Sequence, residues 1–587
     1  MKFFKTAGRG LSSISTNLIL AFLIFSVYLP FLGTRIVRTA GDEKVYVSQA
    51  IEMERQGSWF VQTLQDESNY YKGPLHYLLL RGGMKVFGHT SWAALYMNLI
   101  LVLLGGIAIA NLVKRRYPEW RGGDLWIGTA FSVSVGVYAH VFASQMEIEL
   151  ASSFAIGAWL LDRLTPSDAG WIFWSIVGVI GWIKAPLHSV FMGVSAILYW
   201  SFCGELLTRL KNSKAWLAVF FGIVLCFAGY LPAYFLDQEN FWKNYVLREV
   251  IGKSGGSGQG WDVAIASTFG FYLLPWAGLA FVTYLQTLFQ GRELLKYENS
   301  RRLMLLGISL FIPSAAFFCW HPYRFENYNL PVIGGVWLWI ASVWGSAELR
   351  AHSSDKIWNL LRSMAFGLTG ILILVLLIAL IYSSVHFNPL PFWWPIWLIP
   401  VIWIGMGISI AGFFYFGVIE KGRRPGLLAM TSCGLFISLG AVCMVIGERE
   451  MVDIRAYLRS VHKEGREVQL DYYNLNRNIF SEWGYLGFWI NYPVKGLHDP
   501  ESLKSALLRG DTILVASKEN GIEEFRDFMK KNFPTMRLKE TLWKRWRTRG
   551  QGENGQSLWL ESWQRRDLSI LEDNYMIYEP IYEVSSH

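Results

Sequence analysis

Long apolar runs separated by short polar stretches fill most of this chain. The runs are roughly 17 to 25 residues long, the length at which a helix crosses a hydrocarbon core of about 30 Å. They predict about thirteen transmembrane helices, at 16–34, 91–113, 124–143, 148–162, 169–183, 186–203, 215–236, 266–290, 303–320, 328–347, 361–384, 391–418 and 425–446. The chain is therefore predicted to be a mainly α-helical, polytopic membrane protein.

Beyond residue 447 the apolar runs stop, and helical and strand patterns alternate. The stretches "DIRAYLRSV", "PESLKSALL" and "GIEEFRDFMKKNF" have helical patterns, whereas "EVQLDYYN" and "DTILVAS" have the patterns of strands. Such alternation indicates a small α/β domain at 448–587. This part has no glycine-rich phosphate loop and no nucleophile elbow, so we expect the chemistry in the membrane domain, 1–447.

Basic residues cluster in the short stretches between apolar runs, as is typical of cytoplasmic loops. With the N-terminus in the cytoplasm, one topology places every strong cluster on that side: Lys2, Lys5 and Arg9, then 114–116, 209–214, 292–302 and 421–424. The outer face of the cytoplasmic membrane then receives the loop at 35–90 and the α/β domain. The N-terminal "MKFFKTAGRG" is expected to begin a signal anchor that remains as the first helix.

Composition supports a membrane protein and argues against a nucleic-acid-binding protein and a disulfide-stabilised or redox protein. Of 587 residues, 52% are hydrophobic and 17% are charged, whereas soluble proteins carry about a quarter charged residues. The net charge of +9 resides mostly in the loop clusters, so we expect no nucleic-acid partner. The five cysteines lie in or beside apolar runs without CxxC spacing, which indicates neither a disulfide framework nor a redox site.

The first outer loop, 35–90, contains two amphipathic helical patterns, each with its apolar residues on one face. One runs from about Asp42 to Gln56, and the other is "PLHYLLLRGGMKVFG". Segments of this type lie along the membrane interface and do not cross it. We therefore expect two interfacial helices at the outer leaflet, which hold acidic side chains at the level of lipid head groups.

Ionisable residues close to the membrane are costly and are candidates for function. On the predicted outer face they come from several loops: Asp42, Glu43, Lys72, His76, Glu147, Glu149, Lys184, Glu249, Lys253, His321, Arg324 and Glu326. Acids beside lysine and arginine suit a reaction that needs a base for an incoming hydroxyl or amine and cations for a leaving phosphate.

Several of these residues lie in motifs of a known family. "GDEKVYVSQAIEMERQGSWF" followed by "YYKGPLHYLLLRGGMKVFG" resembles the first outer loop of bacterial lipid A aminoarabinose transferases and related protein-mannosyltransferase-like GT-C enzymes. That loop has an Asp-Glu pair and, later, Phe-Glu-Lys-Pro-Pro-Leu-His-Tyr. "IKAPL" is similar to the family's Lys-Gly-Pro turn, and "RFENYNLP" to its Lys/Arg-x-x-x-Tyr-x-Leu-Pro turn. The resemblance extends over essentially the whole chain, including the topology and the C-terminal domain.

The resemblance implies an inverting glycosyltransferase whose donor is a sugar on a polyprenyl phosphate such as undecaprenyl phosphate. It implies Asp42 as the general base or as the carboxylate that orients the acceptor, and an acceptor that is lipid A, another glycan or a protein. Glu43 is a second catalytic candidate if it assists Asp42. Cations would grip the donor phosphate, with a tyrosine hydroxyl beside them: Lys72, Lys184, Arg324 and Tyr328. Further candidates for contacts to the acceptor or a mobile loop are Tyr71, Glu149, Glu249 and Lys253.

Two departures from the family pattern bear on a metal cofactor. Tyr71 stands where the family has a glutamate associated with metal binding, and Gly73 replaces the first proline. Other ligands are available, although nothing in their spacing requires a metal: Glu147, Glu149, His76 and His321. The sequence therefore leaves a divalent metal open.

Structural roles compete with each of these assignments. Asp42 and Glu43 suit the cap of a helix, and capping is the favoured interpretation for Glu43. Lys184 suits a lysine that extends to head groups, Glu147 and Glu149 suit a helix N-terminus, and His76 suits interfacial packing. For the whole chain, the alternatives are a transporter or flippase of polyprenyl-linked sugars and a non-catalytic assembly factor. Charges concentrated at one face favour the enzyme, because transporters bind substrate near mid-membrane.

Overall fold

A computed structural model describes most of the membrane domain and part of the C-terminal region. The described residues are 16–32, 43–64, 67–252, 270–321, 326–346, pieces of a helix between 358 and 378, 398–419, 424–448, 470–473, 494–497, 500–509, 511–516, 521–546, 565 and 572–580. Of the candidate site residues, Asp42, Lys253 and Arg324 lie outside this set.

The described part of the chain up to residue 448 is almost entirely helical. Its α-helices are α1 Thr16–Phe31, α2 Glu43–Arg55, α3 Pro74–Phe87, α4 Ser91–Arg116, α5 Gly123–Val133, α6 Val135–Val141, α7 Glu147–Arg163, α8 Trp171–Ile183, α9 Pro186–Phe202, α10 Leu206–Leu210, α11 Ser213–Ala228, α12 Leu231–Leu236, α13 Gln238–Phe241, α14 Ala277–Lys296, α15 Glu298–Trp320, α16 Ile333–Trp344, α17 Leu398–Phe414 and α18 Pro425–Glu448. A π-helix spans Trp242–Ile251, 3₁₀ helices span Phe271–Leu273 and Glu326–Val332, and β1 Thr63–Leu64 pairs with β2 Glu67–Ser68.

Among the described residues most predicted spans correspond to observed helices, but the spans predicted at 266–290 and 328–347 include a 3₁₀ helix before the α-helix, and two further spans are divided. The span predicted at 124–143 is interrupted at Ser134, whose backbone is extended (φ −62°, ψ 144°). The interruption comes from a tertiary contact, because the amide of Val135 donates to the carbonyl of Leu274 at 2.8 Å. The span predicted at 215–236 divides into α11 and α12. Both interfacial patterns form helices, α2 and α3.

Two described helices are long and apolar enough to cross a membrane, Trp92–Arg116 and Glu298–Phe318. Shorter apolar helices accompany them at Thr16–Phe31, Trp171–Ile183, Ser213–Ala228, Gly407–Gly417 and Pro425–Gly440. The count of about thirteen spans and the orientation of the chain in the membrane stay predictions.

Glycines bring neighbouring helix backbones into contact at three crossings. A Cβ on Gly128 would lie 2.8 Å from the carbonyl oxygen of Gly106, and one on Gly178 would lie 2.7 Å from that of Gly222. A Cβ on Gly335 would lie 2.8 Å from the carbonyl oxygen of Gly307. Small residues permit this close packing between apolar helices, where burial of apolar surface gives little preference for one partner. The crossings join α4 to α5, α8 to α11 and α15 to α16.

Charged residues collect at both ends of the helices. At the end that holds Arg163 of α7, Arg116 bonds Asp162, and the hydroxyl of Tyr199 donates to the same carboxylate at 3.4 Å. At the same end of α9, Glu205 pairs with Arg209 at 3.1 Å and with Arg302 at 3.0 Å. Three of the basic clusters thus lie together, as the topology predicts, and α7 begins at the opposite end with Glu147.

The described residues beyond 448 contain a mixed sheet. Its order is β4-β3-β5-β7-β6, with β3 Leu470–Tyr473, β4 Val494–Leu497, β5 Thr512–Ala516, β6 Leu538–Trp546 and β7 Glu572–Pro580. The first three strands are parallel, with Leu470 opposite Val494 and Thr512, and the others are antiparallel. Helices α19 Pro500–Arg509 and α20 Gly521–Asn532 supply its core with Leu503, Leu507 and Phe525. The predicted helix "DIRAYLRSV" lies outside the described residues, and the boundary at 447 stays a prediction.

Candidate active site

Two lysine turns, far apart in sequence, meet at the start of α3 and α9. The amide of Gly73 donates to the carbonyl oxygen of Lys184 at 3.2 Å. A Cβ on Gly73 would lie 2.7 Å from the carbonyl carbon of Trp182 and closer still to its oxygen. Glycine is therefore required here by close approach, not by backbone angle, since its φ is −62°. The departure from the family's proline has a local cause: proline would lack the amide and would collide with the neighbouring turn.

The two turns share a five-residue motif, and its repetition was not among the predicted features of the chain. Lys72 to His76 reads Lys-Gly-Pro-Leu-His, and Lys184 to His188 reads Lys-Ala-Pro-Leu-His. In both, proline occupies the first position of a helix, where it costs no hydrogen bond. Comparing the chain with itself at this length would have identified His188, which is buried and interacts electrostatically with Lys184, Glu147 and Lys72.

Lys72 is mostly buried and paired with a carboxylate from outside its own segment. Its ammonium lies 3.0 Å from Oε2 of Glu249 and 4.0 Å above the ring of Tyr71. Gln62 fixes the backbone around it, because Gln62 Nε2 donates to the carbonyl of Lys72 and Gln62 Oε1 accepts from the amide of Tyr71. Tyr71 thus supports the lysine with its ring, in the position where the family has a glutamate.

Lys184 is held by a second carboxylate. Its ammonium lies 2.9 Å from Oε1 of Glu147 and 4.5 Å from the ring centre of Tyr328. Asn327 also donates to Oε1 of Glu147, at 2.6 Å. Lys184 is therefore not a lysine that simply extends to head groups, and Glu147 does more than favour a helix N-terminus. For Tyr328 the structure shows the contact of its ring with Lys184, whereas the role of its hydroxyl stays a prediction.

The carboxyl of Glu147 is strongly acidic. It is the first residue of α7 and precedes the span predicted at 148–162. Burial by itself would raise its pKa, but the ammonium of Lys184, with help from His140, lowers the pKa from 4.5 to about 2. Glu147 is thus an anion at neutral pH, and the pair that it forms with Lys184 is a fixed feature of the site.

His76 and Glu149 form a buried pair beside the lysines. His76 Nδ1 lies 2.6 Å from Oε1 of Glu149, and the ring of Tyr46 contacts His76 edge-on at 5.3 Å. His76 Nε2 and Glu149 Oε2 are buried without a hydrogen-bond partner among the described residues. Packing alone, which was the favoured role of His76, is an incomplete description, because its ring also makes this polar contact.

The carboxylate of Glu43 makes a contact outside its own helix, in addition to any role at the helix N-terminus. The side chain is buried, and its Oε1 accepts a hydrogen bond from the amide of Ser144 at 2.7 Å. This bond ties the first turn of α2 to the segment that leads into α7, so the carboxylate serves a tertiary contact. Asp42 directly precedes Glu43 in the chain and lies outside the described residues.

The π-helix Trp242–Ile251 carries Glu249 to the site and is anchored before it reaches that residue. The hydroxyl of Tyr245 donates to that of Tyr230 at 2.9 Å, and Tyr230 donates to the carbonyl of Gly181 at 2.6 Å. Asn244 and Arg248 bond the strand segment at 68–69. π-Helical turns are rare and are frequently found at functional sites.

The described residues do not fit a metal ion. No group of three or more His, Cys, Asp or Glu side chains occurs in the part of the chain that the structure describes. The sequence candidates are engaged in separate contacts: Glu147 with Lys184, Glu149 with His76, and His321 stacked on Phe317 at 4.9 Å.

Comparison with known proteins agrees with this arrangement. The family model described as dolichyl-phosphate-mannose-protein mannosyltransferase matches residues 71–231, a range that begins at Tyr71 and includes both lysine turns. The undecaprenyl phosphate-alpha-4-amino-4-deoxy-L-arabinose arabinosyl transferase 2 of Proteus mirabilis (strain HI4320) is 20% identical over 443 residues, which are 73% of this chain and 75% of the relative.

Two solved structures match nearly the whole chain. The crystal structure of ArnT from Cupriavidus metallidurans bound to undecaprenyl phosphate has a TM-score of 0.61 at 14% identity, over 91% of this chain and 96% of that one. Its apo state has a TM-score of 0.58 at 14% identity, over 98% of each chain. The chain has the GT-C fold of the aminoarabinose transferase type. The resemblance inferred from the sequence motifs is confirmed by these matches, and so is the mainly helical fold.

Proposed function

We propose that this protein is a glycosyltransferase of the cytoplasmic membrane that takes its sugar from a polyprenyl phosphate, with undecaprenyl phosphate as the bacterial carrier. The observation that carries this proposal is the contact between the two lysine turns. It sets two cations and two helix N-termini side by side in a poorly solvated place. Breaking a glycosyl phosphate bond releases a phosphate with additional negative charge, and fixed cations in such a site stabilise that charge strongly.

Within this proposal Lys72 and Lys184 bind the donor phosphate and stabilise it as it leaves. Arg324 and Tyr328 complete the phosphate site, and Lys253 belongs to the surrounding loops. Asp42 accepts the proton of the acceptor, and the sugar is transferred with inversion of configuration. The bond from Glu43 to Ser144 supports this role for Asp42, because it holds the start of α2 close to the start of α7, where Glu147 meets Lys184.

We further propose that the site faces the outer side of the membrane and that the N-terminus lies in the cytoplasm. The basic clusters at the Arg163 end of α7 support this orientation, since cytoplasmic loops are rich in lysine and arginine. The acceptor is lipid A, another glycan or a protein. The C-terminal α/β region lies on the same side as the site and is available for contacts to that acceptor.

The first test is sugar transfer from the native polyprenyl-phosphate pool in membranes that contain equal amounts of wild type or Asp42→Asn. Loss of transfer with retained donor binding supports Asp42 as the base, and the labelled product identifies the acceptor class. The matched control is Asp124→Asn, because Asp124 lies 3.7 Å from Lys114 at the opposite end of the helices, and it should transfer normally. Unchanged transfer by Asp42→Asn would refute the assignment of the base. A wild type that moves the lipid-linked sugar across the membrane without transfer would favour a flippase.

A further inference from the structure

The two equivalent lysine turns differ in the carboxylates that neutralise them. Glu147 lies in the first turn of α7 and receives a hydrogen bond from Asn327 in addition to its contact with Lys184. Glu249 approaches Lys72 from the last turn of the π-helix, two residues before that helix ends at Ile251. Its other oxygen, Oε1, lies 3.7 Å from the guanidinium of Arg248, so the carboxylate has a second cation beside it outside the lysine turns.

The π-helix can retain its position without the Lys72–Glu249 contact. Tyr245 packs on Phe241 and Tyr230, with ring centres 5.3 and 5.1 Å away, and its hydroxyl bonds to Tyr230. The side chain of Asn244 donates to the carbonyl of Ser68 at 2.9 Å. These contacts precede Glu249 along the helix, and the bond from Arg248 to Asn69 holds the residue next to it. The carboxylate can therefore leave Lys72 through a change in its own side chain while the helix stays anchored.

A phosphate and the carboxylate of Glu249 cannot share Lys72 at low cost. The Lys72 side chain is 9% exposed and that of Glu249 is 7% exposed, so water screens their charges weakly. Two anions around one poorly solvated cation repel each other. Removing the carboxylate without a replacement would leave a buried unpaired charge, which is also unfavourable. A phosphate that arrives as the carboxylate departs avoids both penalties.

We propose that Glu249 occupies the phosphate position on Lys72 in the empty site and that the phosphate of the polyprenyl donor displaces it. This inference rests on the proposed function and adds to it a residue that competes with the donor phosphate. The carboxylate keeps Lys72 neutralised and in place until an anion arrives to replace it. Displacement also loosens the last turn of the π-helix, which then keeps the bond from Arg248 to Asn69 but loses its contact with Lys72.

The experiment measures the binding of undecaprenyl phosphate and of uncharged undecaprenol to the purified full-length protein in lipid nanodiscs. Glu249→Gln removes the competing charge with little change in shape. We expect it to bind undecaprenyl phosphate about tenfold more tightly than wild type, within the usual range of coupling between two sites, and to bind undecaprenol unchanged. The matched control is Glu205→Gln, which removes a carboxylate paired with Arg302 and Arg209 at the opposite end of α9 and should leave both affinities unchanged.

A double-mutant cycle tests the partner. In a Lys72→Met background, Glu249→Gln should give no gain in affinity, because the cation for which the two anions compete is gone. Hydrogen exchange gives a second readout: the amides at the end of 242–251 should exchange faster when undecaprenyl phosphate is bound. If Glu249→Gln does not fold, Glu249→Asp replaces it; the shorter side chain lengthens the 3.0 Å contact, and the gain should have the same sign.

Equal or weaker binding of undecaprenyl phosphate by a folded Glu249→Gln protein would overturn the inference while leaving the proposed function intact. A gain that persists without Lys72 would also overturn it, since Glu249 would then act elsewhere. Wild type that fails to prefer undecaprenyl phosphate over undecaprenol would remove the proposed function, and the inference with it.

Discussion

Replacing Gly73 with alanine should separate the two lysine turns. The new Cβ would lie 2.7 Å from the carbonyl carbon of Trp182 and 3.1 Å from that of Ile183, whereas carbon atoms in contact stay about 3.5 to 4.0 Å apart. The turns must therefore move apart by about 1 Å, and the 3.2 Å bond from Gly73 to Lys184 passes the limit of a hydrogen bond. Overpacking of this kind costs about 1–3 kcal/mol, and the lost bond adds about 1 kcal/mol.

The rate of sugar transfer should fall strongly even where the protein remains folded, because a displacement of about 1 Å in a site can reduce the rate by a factor of about 100. The assays are sugar transfer in membranes and thermal unfolding of the purified protein. Gly82→Ala is the control: Gly82 lies in α3, the helix that Gly73 precedes, and its new Cβ would meet only the hydroxyl of Tyr96, at 3.6 Å. Transfer by Gly73→Ala within twofold of wild type, at equal stability, would refute the argument from close approach.

Two other substitutions test the electrostatics and the packing. Lys184→Met should destabilise the protein by about 3 kcal/mol, because it leaves the buried carboxylate of Glu147 without its cation. In wild type the lowered pKa of Glu147 gives stability that is present above pH 4.5 and lost only as the pH falls toward 2. In the Lys184→Met protein, burial raises the pKa of Glu147, so the stability of the fold should fall as the pH rises from 5 to 7. If the thermal midpoint of the variant changes with pH as the wild-type midpoint does, Lys184 does not stabilise the charge of Glu147. Gly178→Ala should push α8 away from α11 and lower the midpoint of thermal unfolding, at a cost of about 1–3 kcal/mol. Gly193→Ala is the control and should leave the midpoint unchanged, because its Cβ would meet only Trp174, at 3.7 Å. Equal midpoints for the two variants would show that the crossing is loosely packed.

The positions of many helices could be predicted from the sequence, because an apolar run and its charged flanks are local features. The span predicted at 148–162 agrees with helix α7, Glu147–Arg163, to within one residue at each end, because charged residues bound the apolar run at both ends. The division at Ser134 was not predicted, since it depends on a hydrogen bond from Val135 to Leu274. Apolar content alone cannot reveal a contact between such distant segments.

The same distinction applies to the site. Both lysines were candidates because they lie in recognisable turns, but their carboxylate partners were not foreseen as partners. Lys72 meets Glu249 from a segment far along the chain, and no spacing rule predicts such a pair. Glu43 was interpreted as a cap because sequence shows only its neighbours, whereas its partner, Ser144, is distant. His188 was present in the repeated Lys-x-Pro-Leu-His motif and could have been found.

The contact at Gly73 also has an evolutionary consequence. The crowding at position 73 comes from the backbone carbonyl groups of Trp182 and Ile183, so a residue larger than glycine there requires those carbonyl groups to move. The proline of the family pattern that this turn resembles also has no amide to donate to Lys184. A homologous chain with proline at this position should therefore hold the two lysine turns farther apart than this chain does.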